Sequence, residues 1–343
     1  MNRRGFLYGS ASLLATARPT AAQQTSGYKA EFQMSVNVSD ETSWGRAAIR
    51  FADAVRYRSG GRIQIKNRFD AQLFAGKQTT EFQLLQQGIA DFAIGSTINW
   101  SPQVKELNLF ALPFMFPNYA SLDAVQAGEP GKRLFRLIEQ NGAIPIAWGE
   151  NGFRELTNAK RQIRRPEDLH GLKVRVVGIP IFVEVFQALG ASAVSLNWKD
   201  ALAAFQQNAV DGQENPIALI IPYGLWEQHR YVTLWHYAID PLILAVSAKT
   251  WSSLRAEDRR IVRQAGEEAM AGQKREAREG LDDALTVLGT LQQIYSMQVT
   301  LLSVAERKAF RERTRPVYDK WTHEIGVELV RRAEKIVEDS SRW

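Results

Sequence analysis

The chain contains no cysteine. That excludes disulfides, thiolate metal ligands and cysteine nucleophiles, but it leaves the compartment open, because an exported protein need not carry disulfides. Histidine is scarce: His170, His229, His236 and His323 are the four. They are scattered, no strong metal-ligand spacing joins them, and His229 and His236 sit near aromatics that suggest packing. There is no G-x-G-x-x-G, P-loop, H-E-x-x-H or G-x-S-x-G motif. A hydrolase would need a base and a nucleophile that these residues do not assemble. No segment reaches about 18 consecutive apolar residues, so no membrane span is expected.

What remains is a soluble composition. The 343 residues are 45% hydrophobic and 23% charged, which predicts two domains and a core large enough to need no staples. Asn2-Arg3-Arg4-Gly5-Phe6-Leu7 is similar to a twin-arginine export signal. A short apolar run to Ala17 and a small-residue cleavage site at Thr20-Ala21-Ala22 follow it. Residues 1–22 are therefore expected to be removed. They hold Arg3, Arg4 and Arg18 and no acid, so half of the formal net charge of +6 lies in the leader. No argument for a nucleic-acid partner survives, and the residual charge fits an anionic ligand only weakly.

Alternation at Ala30, Phe32, Met34 and Val36 predicts a strand over Lys29–Val36. A helix with Trp44, Ala47, Ala48, Phe51, Ala52 and Val55 on one face follows. Ile63 and Ile65 mark a second strand. Thr80-Glu81-Phe82-Gln83 reads as a capping box opening the next helix, and Asp91–Gly95 as a third strand. That order implies right-handed parallel crossovers, whose ligands sit beyond the carboxyl ends of the strands. The candidate loops are Asn37–Trp44, Ser96–Trp100 and Trp148–Arg154. Further on, Ile144–Trp148, Tyr231–Trp235 and Leu242–Ser247 read as strands, with Asp240-Pro241 a turn between the last two. Residues 256 to about 292 predict one long amphipathic helix, with Gly266, Gly272 and Gly280 as weak points. Tyr295–Leu301 is a last strand. Ser303-Val304-Ala305-Glu306 is a capping box for a basic helix to about Val337.

The stretch from Glu150 to Pro216 organises the rest. Lys173–Val177 alternates and is β-branched, Gly178 breaks it, and Pro180 suits the first turn of a helix over Ile181–Leu189. Arg175 thus stands before a strand-to-helix turn. A guanidinium there, beside the free N–H groups of a helix mouth, can grip a carboxylate with two parallel hydrogen bonds. Taken alone, an arginine after a strand is more often a surface or ion-pair residue. Asn215-Pro216 repeats the pattern ahead of an apolar helix Ile217–Trp226, where Asn215 would offer amide donors. Ser192–Leu196 is a strand and Lys199–Gln207 a helix, with Trp198 between them, where a ring could stack on a flat ligand face.

The combination NGFRELTN, PEDLHGLKVRV and NAVDGQENP resembles the solute receptors of tripartite ATP-independent periplasmic (TRAP) transporters, the DctP-like family, over nearly the whole chain after the leader. The resemblance implies an α/β, two-lobed periplasmic binding protein fold with a long helix spanning both lobes. It implies an export signal over 1–22, one domain over 23–151 plus about 241–280, and a second over 152–240 plus about 281–343. It assigns the principal ligand salt bridge to Arg175, a shared hold to Asn215, a second cation to Arg154 and an aromatic contact to Trp198. The spacing from Arg154 to Arg175 is one residue longer than in sialate-binding relatives. Ser96 stands where those relatives carry a glutamate, which counts against sialic acid. Asp70-Ala71-Gln72-Leu73-Phe74 departs from the family's usual loop.

The expected function is capture of a small organic acid in the interlobe cleft and its delivery to TRAP membrane subunits, with no cofactor and no catalysis. The ligand is either a uronate or related hydroxy acid, served by Asn37, Trp44, Ser96 and Asp240, or a C4-dicarboxylate, which needs two cationic poles. A secreted α/β enzyme acting on an arginine-anchored carboxylate is the alternative, and a sensor domain for a signalling partner is a third reading.

Overall fold

The computed structural model of the chain describes residues 27–281 and 284–340. The predicted leader lies outside them. Among the described residues nine strands form one mixed sheet: β1 (Phe32–Val36), β2 (Ile65–Arg68), β3 (Phe92–Ser96), β4 (Ala143–Asn158), β5 (Lys173–Val176), β6 (Ser192–Ser195), β7 (Gly212–Pro216), β8 (Tyr231–Ser247) and β9 (Gln298–Leu301). The order is β2-β1-β3-β8-β4-β7-β5-β6, with β9 on the free flank of β8. β1, β2 and β3 pair in parallel, as do β5, β6 and β7. The strand–helix–strand repeats predict this pairing in both halves.

Two long antiparallel strands join the halves. The Leu242–Val246 end of β8 pairs with β3, and its Tyr231–Leu234 end with β9. β4 pairs with β8 along its length, and its Arg154–Asn158 end pairs with β7. Here the sequence reading is corrected. Ile144–Trp148 is the start of a sixteen-residue strand. Tyr231–Trp235 and Leu242–Ser247 are one seventeen-residue strand, so Asp240-Pro241 is not a turn. Proline is tolerated inside this strand because Pro241 faces Glu150 next to a bulge between Glu150 and Gly152, where the ladder is already interrupted.

Each half has its own core. Met34, Val36, Trp44, Ala47, Phe51 and Val262 cluster on the first. Phe205, Ile220, Leu225, Val232 and Leu291 cluster on the second. A third and larger cluster, containing Phe110, Phe153, Val174, Phe182, Trp235 and Tyr237, runs along the shared strands. The helix Ser43–Arg58 is capped by Thr42, whose Oγ1 accepts from the Gly45 N–H. The helix Pro180–Ala188 opens with proline in its first turn, as the sequence predicts.

The helices depart from the sequence expectation at five points. The helix Glu81–Gln87 has no side-chain cap, because the 3-10 turn Gln78–Thr80 runs straight into it and leaves Thr80 with helical rather than extended backbone. Ile217–Trp226 is not one helix: β7 runs through Pro216, a single turn Ile217–Ile220 follows, and Leu225–Glu227 is a separate 3-10 turn. The long helix ends at Arg278, since Gly280 takes a left-handed φ of +71 that stops an α-helix; helical structure resumes at Ala284. Gly266 is not a bending point but a packing one, for a Cβ there would fall 2.7 Å from Ile146 and Leu244. The last helix is broken at Gly326, into Val304–Ile325 and Val327–Ser340. The capping box at Ser303 and Glu306 forms as expected, with both reciprocal bonds present.

Candidate functional site

Parallel strands on both sides of the shared pair end at the same place. Asn37 and Val38 follow β1, Ser96 closes β3, Val177 follows β5, and Asn215 sits near the end of β7. Asn151, Arg154 and Asp240 come from the middle of β4 and β8. These residues line a cavity of ≈ 290 Å³ of empty space, mouth included, together with Trp44, Gln78, Asn99, Arg175, Trp198 and Leu219. Every residue named for the site from sequence is there. Sequence reading missed Gln78, Asn99 and Asn151, and the apolar Val38, Val177 and Leu219. Asn99 and Asn151 fall in loops flagged as candidates, whereas nothing about Gln78 marks it in the chain.

The two arginines differ. Arg154 is 2% exposed and fully engaged. Its Nε and Nη2 donate to the Glu214 carboxylate, Nη2 also to the Glu214 carbonyl at 2.9 Å and to Asn215 Oδ1 at 3.0 Å, and Nη1 to Asp240 Oδ2 at 3.1 Å. Burial alone would lower its pKa, but Glu214 and Asp240 more than offset that and raise it. Arg154 is therefore not a free second cation.

Arg175 is 1% exposed. Its Nε and Nη2 donate to the Leu196 carbonyl at 3.0 and 2.6 Å, and its guanidinium lies over the Trp198 ring, 5.5 Å from the centroid. Among the described residues no carboxylate stands within ion-pair distance of it. Burial pulls its pKa down to about 10, with Glu214 opposing and Arg154 adding. A desolvated cation that faces only a neutral carbonyl and an aromatic ring lacks the anion that would compensate its burial.

The other predicted residues are mostly occupied. Asp240 accepts from Ser96 Oγ at 2.6 Å, Asn151 Nδ2 at 2.8 Å and Arg154. Burial raises its pKa against these donors. The bulge in β4 brings Asn151 onto the same side as Arg154. Ser96 also accepts from the Ile98 N–H, and so fixes the short helix Thr97–Trp100. Asn215 is partly engaged: its Nδ2 donates one of its two hydrogens to Gln213 Oε1 at 2.6 Å, and its Oδ1 accepts from Arg154. Trp44 spends its indole N–H on the Ile94 carbonyl and offers only ring surface. Asn37 differs, with a buried Oδ1 that accepts no hydrogen bond. The Trp198 indole N–H stands near the Tyr223 hydroxyl but forms no well-made bond with it. The cavity thus presents, among the described residues, a cation without an acid partner at Arg175, an open acceptor at Asn37, a loosely held donor at Trp198 and the apolar Val38, Val177 and Leu219.

Of the two histidines flagged for packing, His229 is buried against Phe205 and bonds Thr157. Burial pushes its pKa down to about 4. His236 stacks on Phe153. Among the described residues no group of three or more His, Asp or Glu is placed to hold a metal, and no helix is long and apolar enough to cross a membrane.

Comparison with known proteins matches residues 34–324 to the DctP model, the bacterial extracellular solute-binding protein family 7. A crystallised TRAP periplasmic solute-binding protein of Ralstonia eutropha H16, with bound (S)-2-hydroxy-2-methyl-3-oxobutanoate, is 46% identical. It superposes with a TM-score of 0.89 over 91% of this chain and 100% of that one. A sugar-acid-binding protein of Advenella mimigardefordensis in complex with galactonate is 28% identical, with a TM-score of 0.84 over 90% and 98%. The C4-dicarboxylate-binding periplasmic protein DctP of Rhodobacter capsulatus is 27% identical over 85% of this chain and 86% of its own. The fold is the two-lobed one of these periplasmic binding proteins, and the chain belongs to the bacterial extracellular solute-binding protein family 7.

Proposed function

We propose that this solute receptor captures a compact monocarboxylate bearing a hydroxyl or oxo group, and that Arg175 holds its carboxylate. The observation that carries this is the buried Arg175 guanidinium in the cavity wall, without an acid partner among the described residues. A ligand carboxylate supplies the missing anion, and exclusion of water strengthens the pair. Asn37 Oδ1 accepts from a ligand hydroxyl, the Trp198 indole N–H serves an oxo or hydroxyl oxygen, and Val38, Val177 and Leu219 take an apolar branch. Asn215, Ser96 and Asp240 position Arg154 and the strand ends rather than grip the ligand.

The neutralised Arg154 weighs against a C4-dicarboxylate, which needs a second cationic pole. The apolar Val38, Val177 and Leu219 in the cavity wall weigh against a uronate, which carries hydroxyls around its ring. The acid bound by the Ralstonia relative, with one carboxylate, one hydroxyl, one oxo group and two methyls, fits these demands. We further assign 23–151 with about 241–280 to one lobe and 152–240 with about 281–343 to the other, with the chain exported by its twin-arginine-like leader. In the periplasm the receptor closes on the acid and delivers it to the membrane subunits of a TRAP transporter, without turnover.

Titration calorimetry against a panel of branched 2-hydroxy-3-oxo acids, 2-oxo acids, C4-dicarboxylates, uronates and neutral sugars tests the assignment. Binding is expected for the first groups. Arg175→Ala should weaken it by roughly 2–5 kcal/mol, because it strands the ligand's buried charge. Affinity within about threefold of wild type would sink the Arg175 assignment. Tight binding of dicarboxylates alone would overturn the monocarboxylate reading.

A further inference from the structure

Two hydrogen bonds tie the lobes together, each made by a side chain of one lobe to a backbone N–H of the other. Gln78, between β2 and the helix Glu81–Gln87, accepts on Oε1 from the Trp198 backbone N–H across the cleft at 2.8 Å. Trp198 is the first residue of the helix Trp198–Gln206, whose own cap residue Asn197 makes no side-chain cap bond. The N–H groups at a helix start have no partner inside the helix, so a side chain of the opposite lobe completes this one. Gln78 is held for the task by donating from Nε2 to Asn99 Oδ1 at 2.9 Å.

The second bond runs the other way. Tyr223, beyond the turn Ile217–Ile220, accepts on its hydroxyl from the Ser39 N–H at 2.9 Å. Ser39 follows β1, in the opposite lobe. The two acceptor sites are coupled, because the Tyr223 and Trp198 rings pack edge to face with centroids 5.0 Å apart. Leu219 from the same segment is buried in the cluster of Val36, Val38 and Trp44 on the far lobe. Each lobe therefore satisfies one backbone N–H of the other around a shared aromatic pair.

We infer that Gln78 and Tyr223 form a ligand-independent clasp that sets the balance between closed and open lobes, and so sets affinity for every ligand alike. This rests on the receptor reading above, in which closure buries the acid. Opening the cleft returns both N–H groups to water, so each bond carries only the modest net weight of an ordinary hydrogen bond. That suffices to shift a two-state equilibrium by a few-fold. Tyr223 is the cleaner probe because it does not line the cavity.

The absence of cysteine makes a direct test simple. Spin labels on Tyr57→Cys and Gln187→Cys, at exposed positions of the two lobes, report the interlobe distance in the full exported chain. In the ligand-free protein, Tyr223→Phe should move population from the short to the long distance. It should also weaken each acid that binds by the same factor, roughly three- to tenfold. Gln78→Met should shift the distances likewise, which keeps the test open should one variant fold poorly. Unchanged distances in both variants overturn the clasp, as does a wild type that shows only the long distance. An affinity loss that differs among acids would make Tyr223 a ligand contact instead. If no acid binds the wild type, the receptor reading falls while the distance measurement still judges the clasp.

Discussion

Arg154 and Arg175 share one cavity wall but stand in opposite electrostatic situations, and this separates their mutants. Replacing Arg154 with methionine leaves Glu214 and Asp240, both buried, without their cation, at a cost of roughly 3–5 kcal/mol. Calorimetry should record a fall in Tm of several degrees. Arg175→Met removes a desolvated charge that has no acid partner among the described residues, so Tm should stay level or rise while ligand binding is lost. Glu81 gives a second residue-scale prediction. Burial pushes its carboxyl up to about 7, against the Ser35 hydroxyl and the Trp100 N–H that hold its two oxygens. In the unfolded chain it titrates near 4.5. Between those values the folded protein keeps a proton that the unfolded chain has lost. Its contribution is fully present below about pH 4.5 and lost as pH rises through 7, on the order of 3 kcal/mol. Glu150 acts in the same window and is also pushed up to about 7 by burial, against the Arg278 pair. His229 acts in the opposite sense below its usual range. The difference between wild-type and Glu81→Gln stability curves isolates Glu81. It should favour the variant increasingly from pH 5 to 8, and a flat difference would contradict the buried, ionising carboxyl.

At the scale of elements, local pattern was legible and long-range pairing was not. The strand–turn–helix at Arg175 follows from β-branched alternation, Gly178 and Pro180, and the carboxyl-end rule pointed to the loops that hold Asn37, Trp44, Ser96 and Arg154. The continuity of β4 and β8 was not visible, because Asn151-Gly152 and Asp240-Pro241 look like turns to any local rule. They are strand only because each sits opposite the other's irregularity. For the same reason the sequence could nominate Arg154 as a cation but not reveal that Glu214 and Asp240 consume its charge. Gln78 left no trace, since one glutamine in a loop has no spacing to betray a bond across the cleft. The end of β3 offers a sharper element-scale test. A Cβ on Gly95 would lie 2.0 Å from the Trp100 ring, whose N–H serves Glu81. Gly95→Ala must displace that ring and loosen the Glu81 bond. Overpacking alone costs roughly 1–3 kcal/mol, so chemical denaturation should show a loss of at least about 2 kcal/mol. A loss under 0.5 kcal/mol would mean the indole is free to move.

For the whole molecule the decisive feature is that no lobe owns the sheet. β4 and β8 each pass through both halves, and the largest buried cluster follows them, joining Phe110 and Trp100 to Val174 and Phe186. Lobes tied by a mere linker would unfold separately. Here, unfolding one half strips half the partners of both long strands from the other, so the halves should melt together. Scanning calorimetry should give a single transition with calorimetric and van't Hoff enthalpies in agreement. A ligand at about 100 times its dissociation constant should move that transition upward intact, adding roughly 2.7 kcal/mol. Two resolved peaks, with only one of them responding to ligand, would mean that the shared strands bend between independent domains instead of fusing them. The clasp of Gln78 and Tyr223 would then have to supply cohesion that the sheet does not.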